Sequence, residues 1–313
     1  MKVVYMGTPD FAVSPLEKLM EEGHEVLLVI TQPDREKGRG KGIAQSPVKE
    51  CAIKHGIEVF QPEKIKDPEA VSFVKKFDAD IFVVAAFGQI LSEEILSIPP
   101  YGCINIHASL LPKYRGAAPI QWAVLNGEEY SGVTIMQMAK GLDTGDILTQ
   151  EKIKLSEDET GDSLFDKLTG LGADLLIKTL PLIEKGKIIP QKQDEALSTY
   201  AGKITKDMGL LDFNKDSKTL ERFVRGLNSW PSAYTHIDGK TLKIWEAEAS
   251  LEKVKNTEPG TVINVSSDSF DIVCGEGLLR VRAVQLEGKK RMSVHDFLLG
   301  YRIKEGTRVG DKA

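Results

Sequence analysis

Apolar positions in the first half of the chain come in short unbroken runs separated by stretches of helical spacing. Lys2–Met6 predicts a short strand, with a turn at Gly7-Thr8-Pro9-Asp10. From Phe11 to Glu22 the apolar positions recur at Phe11, Pro15/Leu16 and Leu19/Met20, the stripe of an amphipathic helix. Val26–Thr31 and Asp80–Phe87 predict buried strands, the second almost continuously apolar, as a strand covered on both faces should be. Cys103–His107, Ser131–Met138 and Ile147–Leu155 continue the series. Leu164, Phe165, Leu168, Leu171, Leu175, Leu176 and Leu180 mark a long helix over Thr160–Gly186. Strands alternating with helices predict an α/β fold, a doubly wound, mostly parallel, Rossmann-like sheet. Ligands of such sheets bind beyond the carboxyl ends of the strands. Gly7–Asp10, Gly88, Asn105–His107 and the loop after Met138 all belong to that edge.

The pattern then changes. Lys187–Ser198 is polar, and a short helix over Lys218–Leu227 ends at Asn228-Ser229-Trp230-Pro231. Short strands follow at Tyr234–Ile237, Thr241–Ala247, Gly260–Val265, Phe270–Cys274 and Leu278–Leu286, then a helix at Ser293–Leu299. Several short strands with turn signals predict a small OB-like β-barrel. The expected division is a catalytic domain over 1–187, a linker over 188–204 and a barrel over 205–313. Two segments are irregular. Residues 32–48 are glycine-rich and basic, and too long for a routine connection. Gly38-Arg39-Gly40-Lys41-Gly42 fits neither the Walker pattern nor the dinucleotide fingerprint, so no nucleotide cofactor is read there. It reads either as a plain surface loop or as an arm that closes on an anionic substrate. The other segment, Met138–Asp146, places Asp143 between Gly141 and Gly145.

Candidate chemistry gathers where the strand at Cys103–His107 runs out. Residues i and i+2 of a strand share a face, so Asn105 and His107 project together. An amide that donates to an oxyanion beside an imidazole that holds or passes a proton is the minimum kit for acyl transfer. Taken alone, the pair is equally compatible with a strand end that merely satisfies backbone groups. A lone Asp in a glycine turn is usually a turn-former, but Asp143 leaves the same sheet edge, so pairing with His107 is geometrically open.

Composition narrows the class. A chain of 313 residues exceeds one typical core, and 41% hydrophobic with 28% charged residues is ordinary for a globular protein. No stretch approaches the ~18–20 apolar residues of a membrane span. The start, Met1-Lys2 into Val3-Val4-Tyr5, reads as a strand, not a signal peptide. Cys51, Cys103 and Cys274 are odd in number and far apart, which suits a reducing cytosol. Charge is uneven. Residues 201–313 hold 19 basic against 16 acidic side chains, and residues 1–200 hold 22 against 30. Within 279–308, eight basic residues (Arg280, Arg282, Lys289, Lys290, Arg291, Arg302, Lys304, Arg308) face three acidic ones, either a solvated surface or a polyanion dock.

Taken together these residues resemble the formyltetrahydrofolate-dependent formyltransferases, and among them the methionyl-tRNA formyltransferase family, from end to end. The resemblance is carried by Gly7-Thr8-Pro9-Asp10-Phe11-Ala12, Gln32-Pro33-Asp34 with Gly38-Arg39-Gly40-Lys41, Phe87-Gly88, the whole of Asn105–Pro119, and Gly141-Leu142-Asp143-Thr144-Gly145. Tyr200-Ala201 with Lys203-Ile204, and Asn228 with Trp230-Pro231, are similar to the family's linker and second-domain entry. Gly202 and Ser229 stand where prolines are expected, and Ser232 where glycine is.

The resemblance implies transfer of the formyl group of 10-formyltetrahydrofolate to the α-amine of methionine on initiator methionyl-tRNA. It implies catalytic roles for Asn105, His107 and Asp143. Ser109, Leu110, Leu111, Pro112, Phe87 and Gly88 are implied to line the folate site, and Arg39, Lys41, Lys203 and Lys206 to contact tRNA. No metal is required, and a cytoplasmic monomer with no membrane association is expected. Rival readings keep the chemistry and change the acceptor. A glycinamide ribonucleotide formyltransferase would leave residues 201–313 unexplained. A formyltetrahydrofolate hydrolase or a sugar-nucleotide formyltransferase would be expected with a further domain. A serine hydrolase built on Ser109 lacks the nucleophile elbow. An RNA-binding module without catalysis would leave Asn105, His107 and Asp143 idle.

Overall fold

The computed structural model describes residues 1–37 and 42–310. In its first part, strands β1 (Lys2–Gly7), β2 (Glu25–Ile30), β3 (Arg35–Lys37), β4 (Gly42–Ala44) and β5 (Val59–Phe60) are followed by β6 (Ile81–Ala85) and β7 (Cys103–His107). Then come β8 (Arg115–Gly116), β9 (Tyr130–Gln137), β10 (Ile147–Lys154) and β11 (Tyr200–Ala201). Helices α1 (Val13–Glu21), α2 (Pro47–Lys54), α3 (Pro68–Val74), α4 (Glu93–Leu96), α5 (Pro119–Leu125) and α6 (Gly161–Glu184) lie between them. The expected strands and the helices at the first and last of these positions are present. Helices α2 to α5 were not among the expected elements.

Seven strands form one sheet in the order β10-β9-β7-β6-β1-β2-β5. The run from β7 to β5 is parallel, and β9 runs antiparallel to β7 and to β10. Order reverses between β1 and β6, the switch point where doubly wound sheets open a crevice. Gly7 pairs with Ala85 there, and a Cβ on Gly7 would lie 2.6 Å from the Ala12 Cβ. Only glycine fits. Val4, Met6, Leu28, Ile30, Phe82, Val84 and Cys103 form the core on one face of the sheet. On the other face α6 approaches so closely that a Cβ on Gly172 would meet Ile106 at 3.0 Å.

The segment at 32–48 is neither uniformly irregular nor a simple loop. β3 and β4 pair antiparallel, and α2 starts at Pro47. Ser46 caps it, its Oγ accepting the Lys49 N–H at 3.1 Å. Residues 191–201 are fastened at both ends within the first unit: Gln191 bridges Ile147 of the seven-stranded sheet, and β11 pairs β8 in a separate two-stranded sheet.

The chain forms two compact units. The first comprises residues 1–119, 130–154 and 165–201, and the second 120–129, 155–164 and 202–313. In the second, helix α7 (Ser217–Gly226) is capped by Asp216, which accepts from the Thr219 N–H at 2.9 Å and its hydroxyl at 2.7 Å. Strands β12 (Ala233–Ile237), β13 (Lys240–Ser250), β14 (Val262–Ile263), β15 (Phe270–Val273), β16 (Leu278–Leu286) and β17 (Met292–Ser293) precede α8 (Val294–Gly300). The sheet is antiparallel, ordered β12-β13-β16-β15-β14 with β17 on β16, and register breaks in β13 curl it. Residues 307–310 join its two edges. Val262 donates to the Thr307 carbonyl at 2.8 Å, and His236 and Gly310 exchange backbone hydrogen bonds. The curled sheet is thereby OB-like.

Two tryptophans of the second unit lie outside its core. Trp230 is 57% exposed. Trp245 is half-buried beneath the Lys243 and Arg291 cations, 5.6 and 5.1 Å from its ring.

Candidate active site

β7 delivers the central side chains. Asn105 pairs with Val84 on one side and Met136 on the other, and His107 sits opposite Thr134. Alternation sends Ile104 and Ile106 to one face and Cys103, Asn105 and His107 to the other. Asn105 and His107 are both buried. Among the described residues the Asn105 amide has no hydrogen-bond partner, and it is not sealed from solvent: the fully buried unpaired side-chain atom is Thr235 Oγ1, so the Asn105 amide stands open to a ligand.

His107 is held from both ends. Its Nε2 lies 2.9 Å from the Tyr114 carbonyl. A carbonyl only accepts, so Nε2 carries the proton. Tyr114 adopts a left-handed backbone (φ 61°) that sets this carbonyl, and its N–H donates to the Thr199 hydroxyl at 2.8 Å. The other ring nitrogen, Nδ1, lies 3.7 Å from Asp143 Oδ2. That oxygen accepts the Gly116 N–H at 2.8 Å. Oδ1 has no partner among the described residues. Asp143 is also left-handed (φ 51°), a conformation Asp tolerates better than most residues. Asn105, His107 and Asp143 thus stand at one edge of the first unit.

The loop after β7 is tied by hydrogen bonds that periodicity did not foretell. Ser109 Oγ donates to the Lys113 carbonyl at 2.7 Å, so its side chain is spent on the turn. The buried Thr134 hydroxyl donates to the Ser109 carbonyl at 2.6 Å and accepts the Leu111 N–H at 3.1 Å. Gln150 donates to the Leu111 carbonyl and to Thr134 Oγ1, both at 2.8 Å. A threonine inside the apolar run of β9 is the one sequence signal that pointed here. Leu111 packs with Met136 and Ile147, beside the Asn105 register. Leu110 instead lies over Gly132, where a Cβ would come within 2.6 Å of its Cδ2. Pro112 offers its carbonyl to the Thr199 N–H at 3.3 Å.

The Phe87 ring is buried in the core, and its carbonyl accepts from Thr8 Oγ1 and Gln32 Nε2, each at 3.1 Å. Gly88 is exposed at φ 83°. Cys103 is no nucleophile: burial pushes its thiol up to about 12.

Arg39 and Lys41 lie outside the described residues. Just before β3, Asp34 accepts from Lys49 at 2.5 Å and Gln61 at 2.8 Å. Those hydrogen bonds hold its carboxyl below the usual range. Lys203 and Lys206 stand exposed on the second unit. The basic stretch over 279–308 is partly neutralised, because Arg280, Arg282, Arg291 and Arg308 are paired with Asp271, Glu248 and Asp268, Glu246, and Glu258. Lys289, Lys290, Arg302 and Lys304 remain exposed. Glu17, Cys51 and His55 bring metal-ligating atoms within 4.8 Å of one another, and none of them belongs to the Asn105 set.

Comparison with known proteins gives the same picture throughout the chain. The formyl transferase model matches residues 1–180, and the model of the formyl transferase C-terminal domain matches residues 203–302. The methionyl-tRNA formyltransferase of Lachnospira eligens is 54% identical, over 99% of this chain and 100% of its own. That of Caldanaerobacter subterraneus is 50% identical, over 98% and 99%. Among solved structures, a sugar 3N-formyl transferase in the presence of dTDP and a formylated tetrahydrofolate superposes with a TM-score of 0.67 at 21% identity, covering 93% of this chain and 99% of that one. It shares the fold. On the identity and coverage of its relatives and on both domain models, the chain belongs to the formyl transferase family.

Proposed function

We propose that this chain transfers the formyl group of 10-formyltetrahydrofolate to the α-amine of methionine on initiator methionyl-tRNA, giving N-formylmethionyl-tRNA for translation initiation. The reading is carried by the convergence of Asn105, His107 and Asp143, in a chain similar over nearly its whole length to methionyl-tRNA formyltransferases. Folate neighbours in the fold family support the donor: one solved relative holds tetrahydrofolic acid.

The folate supplies an activated formyl group on N10. Attack by the neutral amine forms the new N–C bond and places negative charge on the formyl oxygen. The unpartnered Asn105 amide donates to that oxygen, in a buried setting where such a bond counts for more than in water. The proton lost by the amine passes to the Asp143–His107 pair. His107 already has Nε2 protonated toward Tyr114, so its proton-accepting nitrogen is Nδ1, the one facing Asp143. The same pair returns the proton to N10 as the C–N10 bond breaks. Proton and formyl group are both conserved through the exchange.

Ser109–Pro112 with Phe87-Gly88 form the folate border. Its polar contacts are chiefly backbone, and Leu111 with Met136 and Ile147 provides its apolar wall. Arg39 and Lys41 take the acceptor end of the tRNA, with Lys203 and Lys206 holding backbone phosphate on the second unit, a contribution that weakens as salt rises. The chain acts as a cytoplasmic monomer; among the described residues no helix is long and apolar enough to cross a membrane.

The test is formyl transfer with methionyl initiator tRNA, free methionine, glycinamide ribonucleotide and water as competing acceptors. The expected result is strong preference for the charged tRNA, lost in His107→Ala. Turnover on water or a small amine, indifferent to tRNA, overturns the acceptor. Arg39→Glu is expected to depress transfer to tRNA far more than folate binding.

A further inference from the structure

Residues 191–201 lie between the two loops that present the catalytic groups. At one end Gln191 and Ile147 exchange backbone hydrogen bonds at 2.8 and 2.9 Å, just after the Asp143 turn. At the other, Tyr200 and Ala201 pair with Arg115 and Gly116, just after Tyr114. Between these anchors Gln193 donates from Nε2 to two carbonyls at once, Asp143 and Gly145, each at 2.7 Å. Its Oε1 accepts from Arg115 Nε at 3.0 Å and Nη2 at 2.9 Å. The Arg115 guanidinium is buried, and its outer side is held by Glu195 through Nη1 at 2.9 Å and Nη2 at 2.8 Å. Those bonds raise its pKa, so its charge is permanent.

We propose that Gln193, oriented by Arg115 and Glu195, is a positioning residue that fixes the backbone of Asp143 and thereby the distance between its carboxylate and His107. The inference rests on Asp143 and His107 acting as the proton-holding pair.

The chemistry of the position singles out glutamine. One end of its side chain must accept two N–H groups, and the other must donate to two carbonyls. An amide offers both, and the fork of Arg115 decides which end faces which way. A glutamate would keep the arginine but set a carboxylate oxygen against two carbonyl oxygens. A methionine would fill the space and leave both carbonyls unpaired. Asp143 has reason to need such a hold. It sits in a sparsely populated backbone region, on a turn between glycines, a conformation that its surroundings must hold in place. Gly116 completes the frame, since the residue that donates to Asp143 Oδ2 is itself locked into β8 beside Gln193's anchor. Arg115 and Gly116 therefore act on the catalytic aspartate along two routes, through Gln193 to its backbone and directly to its carboxylate.

The test compares wild type with Gln193→Glu, Gln193→Met and Arg115→Lys in the full chain, using 10-formyltetrahydrofolate and methionyl initiator tRNA. Measured quantities are kcat, KM for each substrate, the pH–rate profile, thermal unfolding, and the His107 titration by NMR. Both Gln193 variants are expected to lose about 10- to 100-fold in kcat, the scale of a misplacement near 1 Å. Their KM values stay within about twofold, because uniform binding is untouched. The pH–rate profile and the His107 midpoint shift together, and Arg115→Lys shows a smaller loss of the same kind. A wild-type kcat and profile in either Gln193 variant overturns the proposal. So does a rise in KM alone, or a lower melting temperature with kcat unchanged. If wild type itself fails to formylate the tRNA, the proposed function falls. The His107 titration, which needs no substrate, still decides the positioning: an unmoved midpoint in Gln193→Glu overturns it.

Discussion

An aspartate in each unit is largely enclosed, its side chain 13% exposed at Asp143 and 0% at Asp271, and the two are treated in opposite ways. In the second unit Asp271 is fully buried and saturated: Arg280 donates to its oxygens at 2.8 and 2.9 Å, and Asn264 adds a third bond at 3.0 Å. In the first, Asp143 receives one backbone N–H, faces an imidazole at 3.7 Å, and keeps one oxygen free of partners among the described residues. A carboxylate tied at both oxygens is a fastening. One left short of partners, beside another titratable group and an unpartnered amide, is equipped to exchange a proton. The comparison separates structure from chemistry by how completely a polar group is satisfied, because unmet capacity inside a fold is expensive and persists where a ligand meets it.

The largest test of that contrast is Asp143→Asn. Transfer should fall by about 10²–10⁴, the range of positioned acid–base groups, with the unfolding midpoint unmoved. Asn105→Ala comes next, with kcat down about 10²–10³, as for loss of one donor to an oxyanion. Folate affinity should change less, which equilibrium binding would show.

The converse substitution is Arg280→Met. It should leave kcat intact and cost about 2–3 kcal/mol in denaturant unfolding, below the ~3–5 of a fully buried pair because the Arg280 side chain is 36% exposed. Acid provides a finer probe. Burial pushes Asp271 up, but the bonds from Arg280 and Asn264 outweigh it and hold its carboxyl below the usual range. A depressed folded value stabilises above the unfolded pKa and is lost as pH falls through the folded one. The stability gap between wild type and Arg280→Met should therefore narrow below about pH 4.

The smallest effect is at Ser232, the expected glycine, which is left-handed at φ 70°. Its Oγ donates to the Ser229 carbonyl at 2.8 Å. Ser232→Ala keeps the strain and loses the bond, at about 1 kcal/mol. Ser232→Gly relieves the strain and should fall within about 0.5 kcal/mol of wild type.

How far these features could be read from the residues follows from their range. The strands of the first sheet are continuous apolar runs, and α6 has enough turns to make its stripe plain. Helices α3 and α4 have seven and four residues, too few for a period to emerge. Asn105 and His107 follow from strand alternation alone. Their relation to Asp143 does not, because it depends on a left-handed turn and on Gln193, fifty residues further on. The polar composition of 188–201 was legible, but not its use: those side chains are spent on carbonyls and guanidinium groups that no local pattern announces. The closure of the second sheet was equally hidden, since Thr307–Gly310 carries no strand signature and pairs with His236 of β12 and with residues 260–262.

That closure has a consequence for biosynthesis. Translation proceeds from residue 1 onward, so both edges of the second sheet, at His236 and Val262, are made well before the residues that cover them. Until residues 307–310 emerge, the nascent chain carries two unpaired strand edges, the kind of surface that recruits other strands. The first sheet's central strands β1, β2, β6 and β7, by contrast, are complete by residue 107. The interval from the end of β16 to residue 307 is when this chain most needs protection, and a stall within it would leave a fully synthesised first unit joined to an open sheet.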